Sequence, residues 1–126
     1  MSTPKPKVAI IEDDPAIIQM YKLKFETEGY DVQTAGDGLE GLALIETFMP
    51  NAVLLDLMMP NMNGMEMLSK LRSMANGREV KVLVLTNMGD TETATKVYKM
   101  AADDYIVKAE MTPLQGVERV RNLLKK

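Results

Sequence analysis

Every position of the run Ala52-Val53-Leu54-Leu55 is apolar, and the run ends in a carboxylate, Asp56. A stretch this short is too brief for a helix. It also lacks the apolar/polar alternation of a strand with one wet face, so it reads as a strand buried on both faces. Such strands belong to parallel sheets covered by helices on either side, which narrows the fold before anything else is considered. An isolated charge is expensive to bury, so Asp56 belongs where the strand emerges from the sheet, within reach of water, a cation or a ligand. Pro60 and Asn61-Met62-Asn63-Gly64 then stop the strand and turn the chain. At this point a plain solvated aspartate is an equally open reading.

The rest of the chain repeats this layout. After a loose arm over residues 1–6, Lys7-Val8-Ala9-Ile10-Ile11 reads as a buried strand that runs into Glu12, Asp13 and Asp14. Asp14-Pro15 is an N-cap followed by the residue best suited to the first helical position; Ile17, Ile18, Tyr21 and Phe25 recur on one face, and Gly29 closes the helix. Asp31-Val32-Gln33-Thr34-Ala35 alternates and reads as an edge strand. Asp37-Gly38-Leu39-Glu40 has capping-box spacing and opens a helix predicted to turn Leu39, Leu42, Ala43 and Phe48 to the sheet, ending at Pro50. Asn63-Gly64-Met65-Glu66 opens the next, with Met65, Leu68 and Leu71 inward, toward a loop at Asn76-Gly77. Val80 to Leu85 is the fourth strand and leads into Thr86-Asn87-Met88-Gly89-Asp90. Thr91 to about Met100 is a weak, threonine-rich helix expected to be mobile. Tyr105-Ile106-Val107 is the last strand and delivers Lys108; Thr112-Pro113-Leu114-Gln115 then caps a final helix with Leu114, Val117, Val120, Leu123 and Leu124 on its buried side.

Five strand-helix pairs in strict alternation imply parallel strands joined by right-handed crossovers. The expected fold is α/β: one domain over residues 1–126, a (βα)5 doubly wound five-stranded parallel sheet of flavodoxin-like order 2-1-3-4-5. Its switch point lies between strands 1 and 3, so Glu12 and Asp13 should meet Asp56 where such folds bind ligands. Composition narrows the chemistry there. With no cysteine and no histidine, thiol catalysis, thiolate metal sites and imidazole bases are excluded, leaving carboxylates, hydroxyls and lysines. The 15 basic residues are scattered among 18 acidic ones, net charge -3, which argues against a nucleic-acid surface. No signal peptide is evident and no apolar run approaches the ~18 residues of a membrane span, so a soluble, cytoplasmic chain with no membrane partner is expected. The 12 methionines read as gap-filling core and loop residues.

Ile10-Ile11-Glu12-Asp13-Asp14, Leu54 to Gly64, Leu83-Val84-Leu85-Thr86 and Ala102-Asp103-Asp104-Tyr105-Ile106-Val107-Lys108 together resemble the response-regulator receiver domain of two-component signalling, in the manner of a single-domain, chemotaxis-type receiver. The resemblance implies a phosphorylation-activated switch in a phosphorelay. Asp56 would be the phosphoacceptor, with Lys108 and Thr86 assisting, and Thr86 and Tyr105 would relay the change to the face made by helix 4, strand 5 and helix 5. Glu12, Asp13, Asp56 and the backbone carbonyl of Met58 would hold one Mg²⁺. The physics agrees, because crowded carboxylates repel one another and a hard divalent cation relieves that repulsion. The implied partners are a histidine kinase or histidine phosphotransfer protein and a downstream protein target, with no direct nucleic acid, the chain acting as a monomer or a phosphorylation-dependent dimer. It would not be an enzyme in the metabolic sense, catalysing only its own phosphorylation and dephosphorylation. The chain ends soon after its last helix, so no output domain is expected within it; it would act alone through protein contacts or be a fragment of a longer protein.

Other readings stand beside this one. A Mg²⁺-dependent aspartyl-phosphate phosphohydrolase is the alternative, although enzymes of the haloacid dehalogenase type want a second acid two residues after the nucleophile, where this chain has Met58. A flavin module is disfavoured because Glu12-Asp13-Asp14-Pro15 would repel a phosphate. A pseudo-receiver working without phosphorylation is disfavoured by the intact Glu12, Asp13, Asp56, Thr86 and Lys108 set. Lys108 also reads as a solvated lysine after an edge strand, Thr86 as a strand-ending threonine and Tyr105 as a half-buried aromatic. Two positions depart from the family pattern. Lys108-Ala109 stands where the family has Lys-Pro with a cis bond, and because a non-proline cis bond costs about 2.5 to 4 kcal/mol, trans is expected. Ala101 stands where glycine is frequent, so a left-handed cap is disfavoured and the helix is expected to end differently. Met58 and Met88, each two residues after a site residue, cannot orient an attacking water well; a long-lived phosphorylated state is expected.

Overall fold

The computed structural model describes residues 5–59, 62–87 and 91–125. Five strands, β1 (Lys7–Ile11), β2 (Asp31–Ala35), β3 (Ala52–Asp56), β4 (Lys81–Thr86) and β5 (Asp104–Val107), alternate with five helices, α1 (Pro15–Thr27), α2 (Gly38–Phe48), α3 (Gly64–Ser73), α4 (Thr91–Lys99) and α5 (Pro113–Leu124). Short 3-10 turns occupy Ala75–Gly77 and Lys108–Glu110. All strand pairs are parallel, in the expected order β2-β1-β3-β4-β5.

The apolar runs are central because both of their faces are covered. Alternate side chains of the sheet feed two cores. Ala9, Ile11, Val53, Leu55, Val82 and Val84 pack with α2, α3 and α4 through Ile45, Phe48, Met67, Leu68, Leu71 and Val97. Val8, Ile10, Leu54, Leu83, Leu85 and Ile106 pack on the other side with Tyr21 and Phe25 of α1 and with Val117, Val120 and Leu123 of α5. Each such large aliphatic, fully buried, contributes roughly 1.5 to 3 kcal/mol of transfer free energy. β2 and β5, with mixed burial, are the edges.

The helix starts follow local chemistry. Asp14, Asp37 and Asn63 accept hydrogen bonds from the backbone N–H groups of Ala16, Glu40 and Glu66, and Thr112 with Gln115 forms a reciprocal capping box. Facing is less well anticipated. Leu39 is 57 % exposed and Ala43 and Leu114 also point outward, because α2 buries the stripe Gly38, Gly41, Ile45, Phe48 and α5 the stripe Gly116, Val117, Val120, Leu123. At 3.6 residues per turn the three residues lie off those stripes.

The end of α4 also corrects an expectation. Ala101 does adopt the left-handed conformation, φ 68°, and the segment keeps that ending because Arg72 holds it from outside. Arg72 donates to Ala101 O from Nη2 at 2.7 Å and from Nε at 3.1 Å, to Gly77 O at 2.8 Å, to Val80 O at 2.7 Å and to Asp103 Oδ2 at 3.0 Å. Among the described residues no peptide bond is cis, so Lys108-Ala109 is trans as expected. The start of the arm (residues 1–4), Pro60, Asn61 and Met88 to Asp90 lie outside the described residues. No helix among the described residues is long and apolar enough to cross a membrane.

Candidate functional site

Four strand ends converge at one edge of the sheet. Glu12 follows β1 and is tied to β2 by its N–H donating to Ala35 O at 3.0 Å. Asp56 ends β3, Thr86 ends β4, and Lys108 follows β5. The registers Ile11 with Leu55, Asp56 with Leu85 and Thr86 with Val107 set these tips side by side. Close packing behind them depends on Gly64 at the start of α3: a side-chain carbon there would drive into the backbone oxygen of Asp56 and lie 2.7 Å from Leu57 Cα.

The site is charged and largely dry. Glu12 is fully buried and Asp56 is 2 % exposed, whereas Asp13 faces solvent. One carboxylate oxygen from each of Glu12, Asp13 and Asp56 lies within 4.8 Å of the others. Lys108 Nζ reaches in from the β5 side, 2.7 Å from Glu12 Oε2 and 3.1 Å from Asp56 Oδ2, with only 12 % of its side chain exposed. Asp56 Oδ1 accepts from the Met58 N–H at 3.1 Å, and Glu12 Oε1 from the Asp14 N–H at 3.2 Å. Glu12 Oε2 is the exception. It is buried, and its close partner is the Lys108 ammonium at 2.7 Å, an ion pair.

Electrostatics follow from this crowding. Burial, reinforced by Asp56, pushes the Glu12 carboxyl up to about 7 against the opposing pull of Lys108 and the Asp14 N–H. Burial alone would lower Lys108, but Glu12 and Asp56 outweigh it and hold the ammonium above its ordinary value. Three carboxylate oxygens within 4.8 Å of one another, two of them on buried residues, fit a hard, oxygen-preferring cation. Thiolate and imidazole ligands are absent from the sequence, so a soft-metal site is not what these residues build.

A family model for the response regulator receiver domain matches residues 8–121. The chain belongs to this family. Over 121 residues the receiver is 36% identical to the DNA-binding dual master transcriptional regulator RpaA of Synechocystis, covering 96% of this chain and 50% of that protein. It is 33% identical over 126 residues to the DNA-binding response regulator MtrA of Mycolicibacterium smegmatis, covering 100% of this chain and 54% of the other. Among solved structures, the receiver domain of Francisella response regulator 1452 superposes with a TM-score of 0.88 at 35% identity, covering 96% and 98% of the two chains. The receiver thus spans about half the length of the curated relatives it matches. This overturns one expectation: a surface reading of scattered charge excluded nucleic acid, yet the relatives are named as DNA-binding regulators. Scattered charge on one domain carries no information about a segment that lies outside it.

The receiver brings Glu12, Asp13, Asp56 and Lys108 together. Thr86 is fully buried beside them on β4, and Tyr105 lies half-buried opposite Val84, on the sheet face that Thr86 shares. Met58 is exposed, while its counterpart Met88 lies outside the described residues. By sequence, Tyr21 is a core residue of α1 and nothing more. It is core, and its hydroxyl also stands within electrostatic reach of the site: burial raises its pKa, Lys108 lowers it and Glu12 raises it. The one local signal is a hydroxyl-bearing ring on the otherwise apolar buried face of α1.

Proposed function

We propose that the domain, residues 1–126, is a phosphorylation-activated switch whose phosphoacceptor is Asp56. The observation that carries this reading is the Lys108 ammonium bridging Asp56 and Glu12 in a nearly dry pocket. A carboxylate oxygen of Asp56 attacks the phosphorus of a phosphohistidine donor. The P–O bond forms as the P–N bond breaks, the electron pair returns to the imidazole nitrogen, and that nitrogen takes a proton from solvent. Lys108 balances negative charge on the phosphoryl oxygens, and the Thr86 hydroxyl donates to one of them. Glu12, Asp13, Asp56 and the Met58 carbonyl would hold Mg²⁺, which when bound would supply further charge neutralisation. Positioning and electrostatics account for the catalysis, as in phosphoryl transfer generally.

The response travels from Thr86 to Tyr105 and out to the face formed by α4, β5 and α5. The names of the relatives support an output in which this face controls a DNA-binding segment of the full-length protein. Incubation with Mg²⁺ and acetyl phosphate, followed by intact mass, tests the chemistry. One added phosphoryl group that persists, and that is absent in Asp56→Asn, is the expected result. Steady consumption of acetyl phosphate with no lasting adduct would replace this reading by the phosphohydrolase.

A further inference from the structure

Lys108 does its work from an insecure place. β5 is an edge strand paired only with β4, and Lys108 begins the 3-10 turn Lys108–Glu110, closed by the Met111 N–H to Lys108 O at 3.4 Å. A hydrogen bond that long is weak. Side-chain packing therefore has to locate the turn, and its inward anchor is Met111, which packs against the core shared by α1 and α5. Met111 has little freedom from the other side, because Thr112 next to it is locked into the capping box of α5 by reciprocal bonds with Gln115 at 2.8 and 3.2 Å.

What Met111 meets in that core is set by a glycine. Gly116 is fully within α5 and buried. A side-chain carbon built there would lie 3.1 Å from Tyr21 Cε1 and 3.3 Å from Met111 Cε. The tyrosine ring from α1 and the methionine methyl from the Lys108 turn thus converge on the bare Cα of Gly116 with no spare room. We propose that Tyr21, Met111 and Gly116 form a packed seam that positions Lys108: the large ring on α1 and the missing side chain on α5 are complementary, and together they hold the turn that aims the ammonium at Asp56. The proposal deepens the phosphoryl-transfer reading and rests on it for the rate measurement below, although the packing itself does not. None of the three touches the reacting atoms; each acts through Lys108.

The seam is tested by size swaps. Gly116→Ala crowds it, Tyr21→Leu loosens it, and the double variant Gly116→Ala/Tyr21→Leu restores the fit. Displacing a charge-balancing group by a fraction of an ångström to an ångström slows its reaction by about ten- to a hundredfold, so each single variant should take phosphoryl from acetyl phosphate about tenfold or more slowly at saturating Mg²⁺. The double variant should recover most of the rate, and Tyr21→Phe, which keeps the ring, should match wild type. In parallel, the Lys108 ε-methylene signal in ¹³C-¹H spectra of the metal-free protein should move in the single variants and return in the double one. Folded single variants with unchanged rates and an unmoved Lys108 signal overturn the proposal, as does a double variant slower than both singles. A slow Tyr21→Phe would show that the hydroxyl, and not the packing, acts. If wild type accepts no phosphoryl group, the phosphoryl-transfer reading fails and the Lys108 spectra still decide the seam.

Discussion

Replacing Lys108 by methionine keeps an unbranched side chain one atom shorter and removes its charge, and the outcome can be worked through from the pocket. In the metal-free protein the Lys108 ammonium lies 2.7 Å from Glu12 and 3.1 Å from Asp56, and the two acids have side chains only 1% and 3% exposed. Removing one member of a buried ionic group strands the others and costs about 3 to 5 kcal/mol. Protonation of Glu12, whose carboxyl is already raised to about 7 against an ordinary 4.5, reduces that loss. Loss of Lys108, which pulls it down, raises it further. A carboxyl raised in the folded state favours folding below its unfolded value and loses that advantage as pH rises through the folded value. Stability of both proteins should therefore fall from about pH 4.5 upward, levelling off near 7 in wild type and later in the variant. Lys108 itself titrates above its ordinary 10.5, so its contribution is constant across this window. The difference between wild type and Lys108→Met should reach about 3 kcal/mol at pH 8 and be smaller at pH 5 by about 1.4 kcal/mol, the most that one proton contributes over the single pH unit above 7. Urea unfolding in a chelator-containing buffer measures it: with m near 2 kcal/mol/M for a domain of this size, the midpoint shifts by about 1.5 M at pH 8. A shift below about 0.5 M at pH 8, or one independent of pH between 5 and 8, would refute the reasoning.

Three further outcomes are expected. Mg²⁺ affinity measured by calorimetry should weaken as pH falls below about 7, because a proton on Glu12 competes with the metal; an affinity flat from pH 8 to 6 would place the metal elsewhere. Ala101→Gly should raise stability by about 1 kcal/mol, since the left-handed conformation at φ 68° disfavours a side chain by more than the added freedom of the unfolded glycine; an unchanged or lower melting temperature contradicts this. Arg72→Met should destabilise by about 3 kcal/mol, because it leaves the carbonyls of Gly77, Val80 and Ala101 and the Asp103 carboxylate without their shared donor. Amide exchange should accelerate first around Ala101 to Asp103, and uniform acceleration along α4 would argue against Arg72 as a local clamp.

Much of this protein is local and could be read residue by residue. A strand such as Val53 to Leu55 is apolar throughout because both of its faces are covered. Asp14, Asp37, Asn63 and Thr112 announce helix starts because a short oxygen-bearing side chain satisfies the free N–H groups two or three residues on. Acids at the ends of the first and third strands must meet once the strands are parallel and the order is 2-1-3-4-5. Those inferences need only neighbours in sequence and the rules of crossover connections.

Other features depend on groups dozens of residues apart and stay invisible until the chain is packed. Leu39 and Leu114 look like core residues in isolation, but the facing stripe is chosen by how α2 and α5 lie on the sheet. Ala101 is a poor left-handed residue by its own chemistry, and it holds that conformation because Arg72 of α3 grips its carbonyl. The raised pKa of Glu12, the two-pronged contact of Lys108 and the fit of Tyr21 against Gly116 are likewise products of tertiary distance. Coulomb energy, desolvation and steric contact are set by separation in space, and separation along the chain does not determine it.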